Sequence, residues 1–147
     1  MIAELLIRYL HFLGILTLAG ALIGQAVLMK PEMERRSIRL LSRLDKIYAI
    51  SVLVVLGAGL SLWFWVGKPS VFYQLNPLFH FKTTLFLIIG IVSIYPTIFF
   101  NRERKGEDCE VVKLSRLLRT SVWVELILLA AMPLLATLMA RGIGLPS

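Results

Sequence analysis

The sequence predicts an all-α fold: an integral membrane four-helix bundle with both termini outside and a basic amphipathic segment between helices one and two on the inner side. Three observations predict it. The 147 residues are 58% hydrophobic and 17% charged, with a mean hydropathy of +0.81; a soluble domain sits near half apolar and a quarter charged. Four stretches are long and apolar enough to cross the hydrocarbon core, which takes roughly 20 helical residues. The basic residues collect in the two segments that join alternate stretches. This composition excludes a disordered chain, a disulfide scaffold and an ordinary soluble globule. The length suits a single membrane domain over 1–147.

The first stretch covers about 3–29 and is broken only by Glu4, Arg8, His11 and Gln25. It lacks the basic start, short apolar core and small-residue cleavage site of a signal peptide, so it reads as a retained helix. Lys30-Pro31 ends it. The segment from Pro31 to Lys46 reads as a basic amphipathic helix with Ile38, Leu41 and Leu44 on one side, expected to lie against anionic headgroups. Helix two, about 47–66, carries no charge. Helix three, about 77–100, opens with Asn76-Pro77, a cap followed by proline at the first helical position. Its only ionisable groups are His80 and Lys82, near the start. Helix four, about 120–140, contains Glu125 and is followed by Gly142 and Pro146. Backbone groups in lipid must be satisfied internally, which requires these stretches to be helices. Pro96 and Pro133 fall inside helices three and four and should bend them. Trp63, Trp65, Phe72 and Tyr73 cluster where an outer aromatic belt would lie.

Charge sets the orientation. Residues 30–46 hold six Lys and Arg, residues 101–119 hold another six, and the opposite side holds four (Arg8, Lys68, Lys82, Arg141). Basic loops stay in the cytoplasm. The expectation is a multi-pass protein of the bacterial inner membrane with both termini periplasmic. The same rule accounts for the net charge of +7 without nucleic-acid binding. Cys109 is the only cysteine; it stands between Asp108 and Glu110 in an inner loop and is given no role.

Ionisable groups inside a span are costly and mark candidate function. His11 lies roughly 9–12 Å below the outer surface at about 1.5 Å per residue, and His80 falls in the first turn of helix three. Glu125 lies roughly 8 Å from the inner surface on the same rise, at a depth similar to Gln25. Two polar layers follow. The outer holds His11, His80 and Lys82; the inner holds Glu125 and Gln25, with Tyr48 or Ser121 as neighbours. On helix one, Glu4, Arg8, His11, Gly14 and Gln25 share a side. Lys82 points roughly 160° away from His80 on helical geometry, so snorkelling to the surface is an alternative for it. The structural readings are plain ones: histidines that only hydrogen-bond between helices or sit at the interface, a lysine anchor, and a neutral or ion-paired glutamate. The chemical reading is haem b, because haem iron takes axial imidazoles and helical bundles build cofactor sites between facing helices. His11 and His80 would be the metal ligands, or His11 alone with an open sixth position. Arg8, Lys82 and Arg141 would meet propionates. Gly20 and Gly24 form a Gly-xxx-Gly pair suited to a homo-oligomer contact.

The stretches Tyr9-Leu10-His11-Phe12, Phe72-Tyr73, Asn76-Pro77-Leu78-Phe79-His80-Phe81-Lys82, Ser93-Ile94-Tyr95-Pro96-Thr97 and Leu138-Met139-Ala140-Arg141-Gly142 carry a resemblance. Through them the chain resembles, over nearly its full length, an uncharacterised bacterial family of small predicted four-helix membrane proteins. A more distant pattern is similar to the HemJ-type protoporphyrinogen oxidases. It consists of His11, then Met33-Glu34-Arg35-Arg36, then His80-Phe81-Lys82, then Glu125. That likeness implies haem b and oxidation of a tetrapyrrole. The expectation is therefore a haem-binding electron-transfer protein or oxidoreductase working with a redox partner of unknown identity, with Glu125 as the catalytic proton carrier. A non-enzymatic membrane subunit or assembly partner is the alternative, and a small proton-coupled transporter the second.

Overall fold

The computed structural model describes residues 1–66, 71 and 74–143. Four long helices dominate them: α1 (Ile2–Leu28), α2 (Arg35–Ser61), α3 (Pro77–Glu103) and α4 (Arg116–Ala140). Each is long and apolar enough to cross a membrane. A wider helical turn, Leu62–Val66, extends α2. The expected residues Lys68, Phe72, Tyr73 and Pro146 lie outside the described residues.

Each helix turns an aliphatic face outward. Leu16, Leu53, Ile91 and Ile127, one per helix, are 70%, 68%, 67% and 67% exposed. A water-soluble protein does not leave such area uncovered on every helix; a bilayer covers it. Inside, α1 and α2 run antiparallel and close. A Cβ on Gly14 would come 2.9 Å from Val55, and one on Gly24 would come 3.2 Å from Leu44. Leu18 and Leu22 of α1, Tyr48 and Val55 of α2 and Val122 of α4 form one buried cluster.

The segment between helices one and two corrects one expectation. It is no separate surface helix. Residues 35–46 are the first three turns of α2 itself. Ile38 and Leu41 are fully buried and pack with Phe99, Phe100, Leu114 and Leu118 in a second cluster. The apolar stripe was legible; its partner is protein, because the start of α4 and the end of α3 present matching apolar groups there.

The two loops at this end are tied to each other. A short antiparallel pair, β1 (Glu32–Glu34) and β2 (Val111–Lys113), sets Met33 opposite Val112. The Arg35 side chain donates to the Glu103 carbonyl at 2.5 Å and to the Glu110 carboxylate at 3.0 Å. Arg39 donates to the Arg104 and Gly106 carbonyls and pairs with Asp108. Gly106 has φ +130°, and a Cβ there would meet Arg35 Nε at 2.6 Å, so glycine is required for both conformation and space. The opposite end is closed by Asn76. Its side chain accepts from the Leu78 amide at 2.9 Å, capping α3, and donates to the Ile143 carbonyl at 3.3 Å, tying α3 to the end of α4.

Candidate functional site

Near the end of the bundle that holds Asn76, the four helices part around a cavity of about 820 Å³. Its walls come from every helix: Phe12 and Ile15 of α1, Val55 and Gly59 of α2, Phe79 and Phe86 of α3, Leu129 and Pro133 of α4. Most of these groups are apolar. The lining residues with polar side-chain atoms are His11, Trp63, Lys82, Thr83 and Thr137. This is the usual composition of a small-molecule site, whose volume runs from about 300 to 1,000 Å³.

His11 is held in one orientation. Its Nδ1 lies 3.2 Å from the Val55 carbonyl oxygen. A carbonyl can only accept, so Nδ1 carries the proton and Nε2 keeps its lone pair. Histidines that ligate metals are commonly fixed this way, through the ring nitrogen that does not ligate. One glycine makes the arrangement sterically possible: Gly14 lets α1 approach Val55, where a Cβ would come within 2.9 Å. Gly59 lies beside the ring, and a Cβ there would sit in ordinary contact with His11 Cε1 at 3.4 Å. Trp63 stacks on Phe64 with centroids 4.4 Å apart and meets Phe79 edge-on at 4.7 Å. Its Nε1 is buried and makes no hydrogen bond among the described residues. An indole N–H in that state lacks an acceptor that a ligand would supply.

The structure brings His11 and Lys82 onto one cavity and leaves His80 off it. His80 is exposed, and its Nε2 lies 2.7 Å from the Gln74 carbonyl oxygen. Arg8 is also outside the lining, ion-paired to Glu4 at 2.8 Å on the helix surface. Arg141 is exposed at the end of α4.

The second polar layer draws on all four helices. Tyr48 donates to Glu125 at 3.2 Å. Gln25 and Thr97 both donate to Asp45 Oδ1, at 3.4 and 3.1 Å. Asp45, Gln25 and Glu125 are all buried, and neither carboxylate has a basic partner among the described residues. The expected depth of Gln25 and Glu125 and the pairing with Tyr48 agree with this arrangement. Gln25 joins the layer through Asp45. Of the two expected neighbours of Glu125, Tyr48 is the one bonded to it, and Ser121 donates to Leu117 of its own helix. Glu125 does not line the cavity; Leu126 and Leu129 of the same helix do.

The sequence matches the family described as "Predicted membrane protein (DUF2214)" over residues 3–144. The chain belongs to this family. No curated protein and no solved structure matches it. In this DUF2214 chain, groups of three or more His, Cys, Asp or Glu suited to a metal are absent among the described residues.

Sequence reasoning missed three groups at these sites. Asp45 lies two residues before the uncharged stretch read as helix two, inside the basic segment 31–46, where no buried polar group was expected. Its i+3 spacing to Tyr48 was the available signal. Trp63 was assigned to the lipid-facing belt, and nothing in the sequence tells an inward indole from an outward one. Thr97 follows Pro96, and a lone threonine in an apolar span carries no signal of its partner.

Proposed function

We propose that this protein binds haem b in the cavity around His11 and serves in electron transfer or oxidoreduction in the bacterial inner membrane, with the loop end cytoplasmic and both termini periplasmic. The observation that carries the reading is His11 itself: an imidazole whose Nδ1 is fixed by Val55 and whose Nε2 has no partner among the described residues, beside a large apolar cavity.

The residues present fit the group. Haem b is a broad apolar plate with two carboxylates and needs an axial nitrogen. The apolar walls suit the plate and His11 Nε2 suits the iron. The unpartnered Trp63 N–H and the Lys82 ammonium suit the acidic substituents. His11 would be the single protein ligand. When bound, the haem would supply one-electron chemistry. The chain's own part is to hold His11 in one tautomer, exclude water with Phe12, Phe79 and Phe86, and place positive charge at one edge. Glu125, hydrogen-bonded to Tyr48 in the other polar layer, would hold a proton near the loop end.

The test is a spectrum of the full chain purified in detergent from haem-replete cells. A Soret band with α and β bands sharpened by dithionite is expected. It should be lost in His11→Ala and kept in His80→Ala. A colourless, cooperatively folded wild-type preparation would overturn the reading. A second reading, a non-enzymatic subunit or assembly partner, draws on Gly20, over which nothing lies within 4 Å and which therefore presents a small residue outward.

A further inference from the structure

Of the arginines at the loop end, Arg35, Arg39 and Arg102 are neutralised by Glu103, Asp108 and Glu110. Arg36, Arg43, Arg104, Arg116 and Arg119 make no ion pair among the described residues. Two of these, Arg116 and Arg119, stand together on the first turns of α4. They face a cavity of about 210 Å³ between the start of α4 and the end of α1, completed by Ala26, Met29, Thr120 and Trp123. No acidic residue lines it. Arg119 Nε is sealed from solvent and has no acceptor among the described residues. A buried guanidinium N–H without a partner is a rare state, and two arginines lining one pocket suit a compact anion with several oxygens, which the planar fork meets two bonds at a time.

Position narrows the anion further. The pocket lies where α1 ends and α4 begins, at the level where spanning helices leave the hydrocarbon. Trp123 is an amphipathic ring of the kind that sits among headgroups. Met29 and Ala26 give the pocket an apolar side. Basic pockets between spanning helices at the cytoplasmic face are suited to anionic headgroups. We infer that this pocket binds a phosphate ester, the headgroup of an anionic phospholipid, with Arg116 and Arg119 on the phosphate and Thr120 beside them. The site is at the opposite end of the bundle from His11 and stands whether or not haem binds.

Native mass spectrometry of the full chain in a neutral detergent tests this, with phosphatidylglycerol, phosphatidylcholine and inorganic phosphate as separate additions. Phosphatidylglycerol should be retained in preference to phosphatidylcholine. The double variant Arg116→Gln/Arg119→Gln should weaken that retention about tenfold, the scale of losing charge-assisted contacts to one anion. Arg116→Lys/Arg119→Lys, which keeps the charge and most of the side-chain stem, should fold normally and retain an intermediate amount. Lys113→Gln, outside the pocket, should match wild type. Equal retention of the two lipids would overturn the proposal, as would full retention by a double Gln variant that still melts cooperatively. Retention of inorganic phosphate by the same two arginines at the lipid's own concentration would assign the site to the free anion and overturn the lipid reading.

Discussion

Gly14 and Gly20 sit on one helix and should respond to the same substitution with opposite signs. Gly14→Ala places a Cβ 2.9 Å from Val55 Cγ2 and 3.2 Å from Val54 Cγ1. Carbon pairs prefer about 3.5–4.0 Å, so the helices must part by roughly 0.6 Å or the valines must leave their rotamers. Val55 is β-branched and stiff at χ1, which favours parting. Overpacking of this kind costs about 1–3 kcal/mol. Replacing a mid-helix glycine by alanine returns up to about 1 kcal/mol through helix propensity. The net for Gly14→Ala is a loss of about 0–3 kcal/mol. Gly20→Ala meets nothing within 4 Å and keeps only the gain, up to about 1 kcal/mol. The two variants should therefore differ by about 1–3 kcal/mol, the full overpacking cost. Reversible unfolding in mixed micelles, read by circular dichroism, measures both. A further substitution, Val55→Ala, should relieve Gly14→Ala and leave Gly20→Ala uncoupled, since only contacting sites interact. Equal shifts for Gly14→Ala and Gly20→Ala would refute the close α1–α2 approach. They would also remove the geometry that lets His11 reach the Val55 carbonyl.

Two other outcomes follow from the polar contacts. Tyr48→Phe removes the donor to Glu125 from a buried site and should cost about 1–2 kcal/mol in the same unfolding assay; a variant as stable as wild type would show that the bond is not made. The Glu107 amide, and after it the Arg35 guanidinium, hold the Glu110 carboxyl below the usual carboxylate range. A depressed acid stabilises the fold above its unfolded value, near pH 4, and loses that contribution as pH falls through its folded value. Wild type should thus be more stable than Glu110→Gln at neutral pH. The difference should fade in acid below about pH 4, and a difference that grows in acid would contradict the assignment.

The four spans were legible because bilayer thickness imposes a length and backbone hydrogen bonding imposes a helix. Neither constraint depends on tertiary contacts. Asn76-Pro77 was legible for a similar reason: the cap is local, and the side chain accepts from Leu78 as expected. What failed depended on partners far along the chain. Residues 35–46 carry a stripe that fits a membrane surface equally well as Phe99, Phe100 and Leu118, and only the fold selects the protein. The β1–β2 pair is three residues per strand, too short for the alternation in Glu32-Met33-Glu34 to mark a strand. His11 and His80 matched in depth along the membrane normal, but helical rotation decides which way each points. His80 is turned to Gln74, while Lys82, given snorkelling as an alternative, shares the cavity with His11.

The separation of the two polar layers bears on how protons and electrons could be coupled. The cavity reaches down to Leu18, Leu126 and Leu129, and Leu18, Leu22, Val55 and Val122 are buried together beside Tyr48. None of these side chains can pass a proton. A transfer from Glu125 toward His11 would require donors and acceptors within about 3 Å of one another at each step, and these apolar groups supply none. Toward the loop end the situation is different. Asp45 shares a helix face with Tyr48, Gln25 and Thr97 hold Asp45 from two other helices, and the basic segments lie beyond. The carboxylate layer is thus better placed to exchange protons with the loop side than with the cavity.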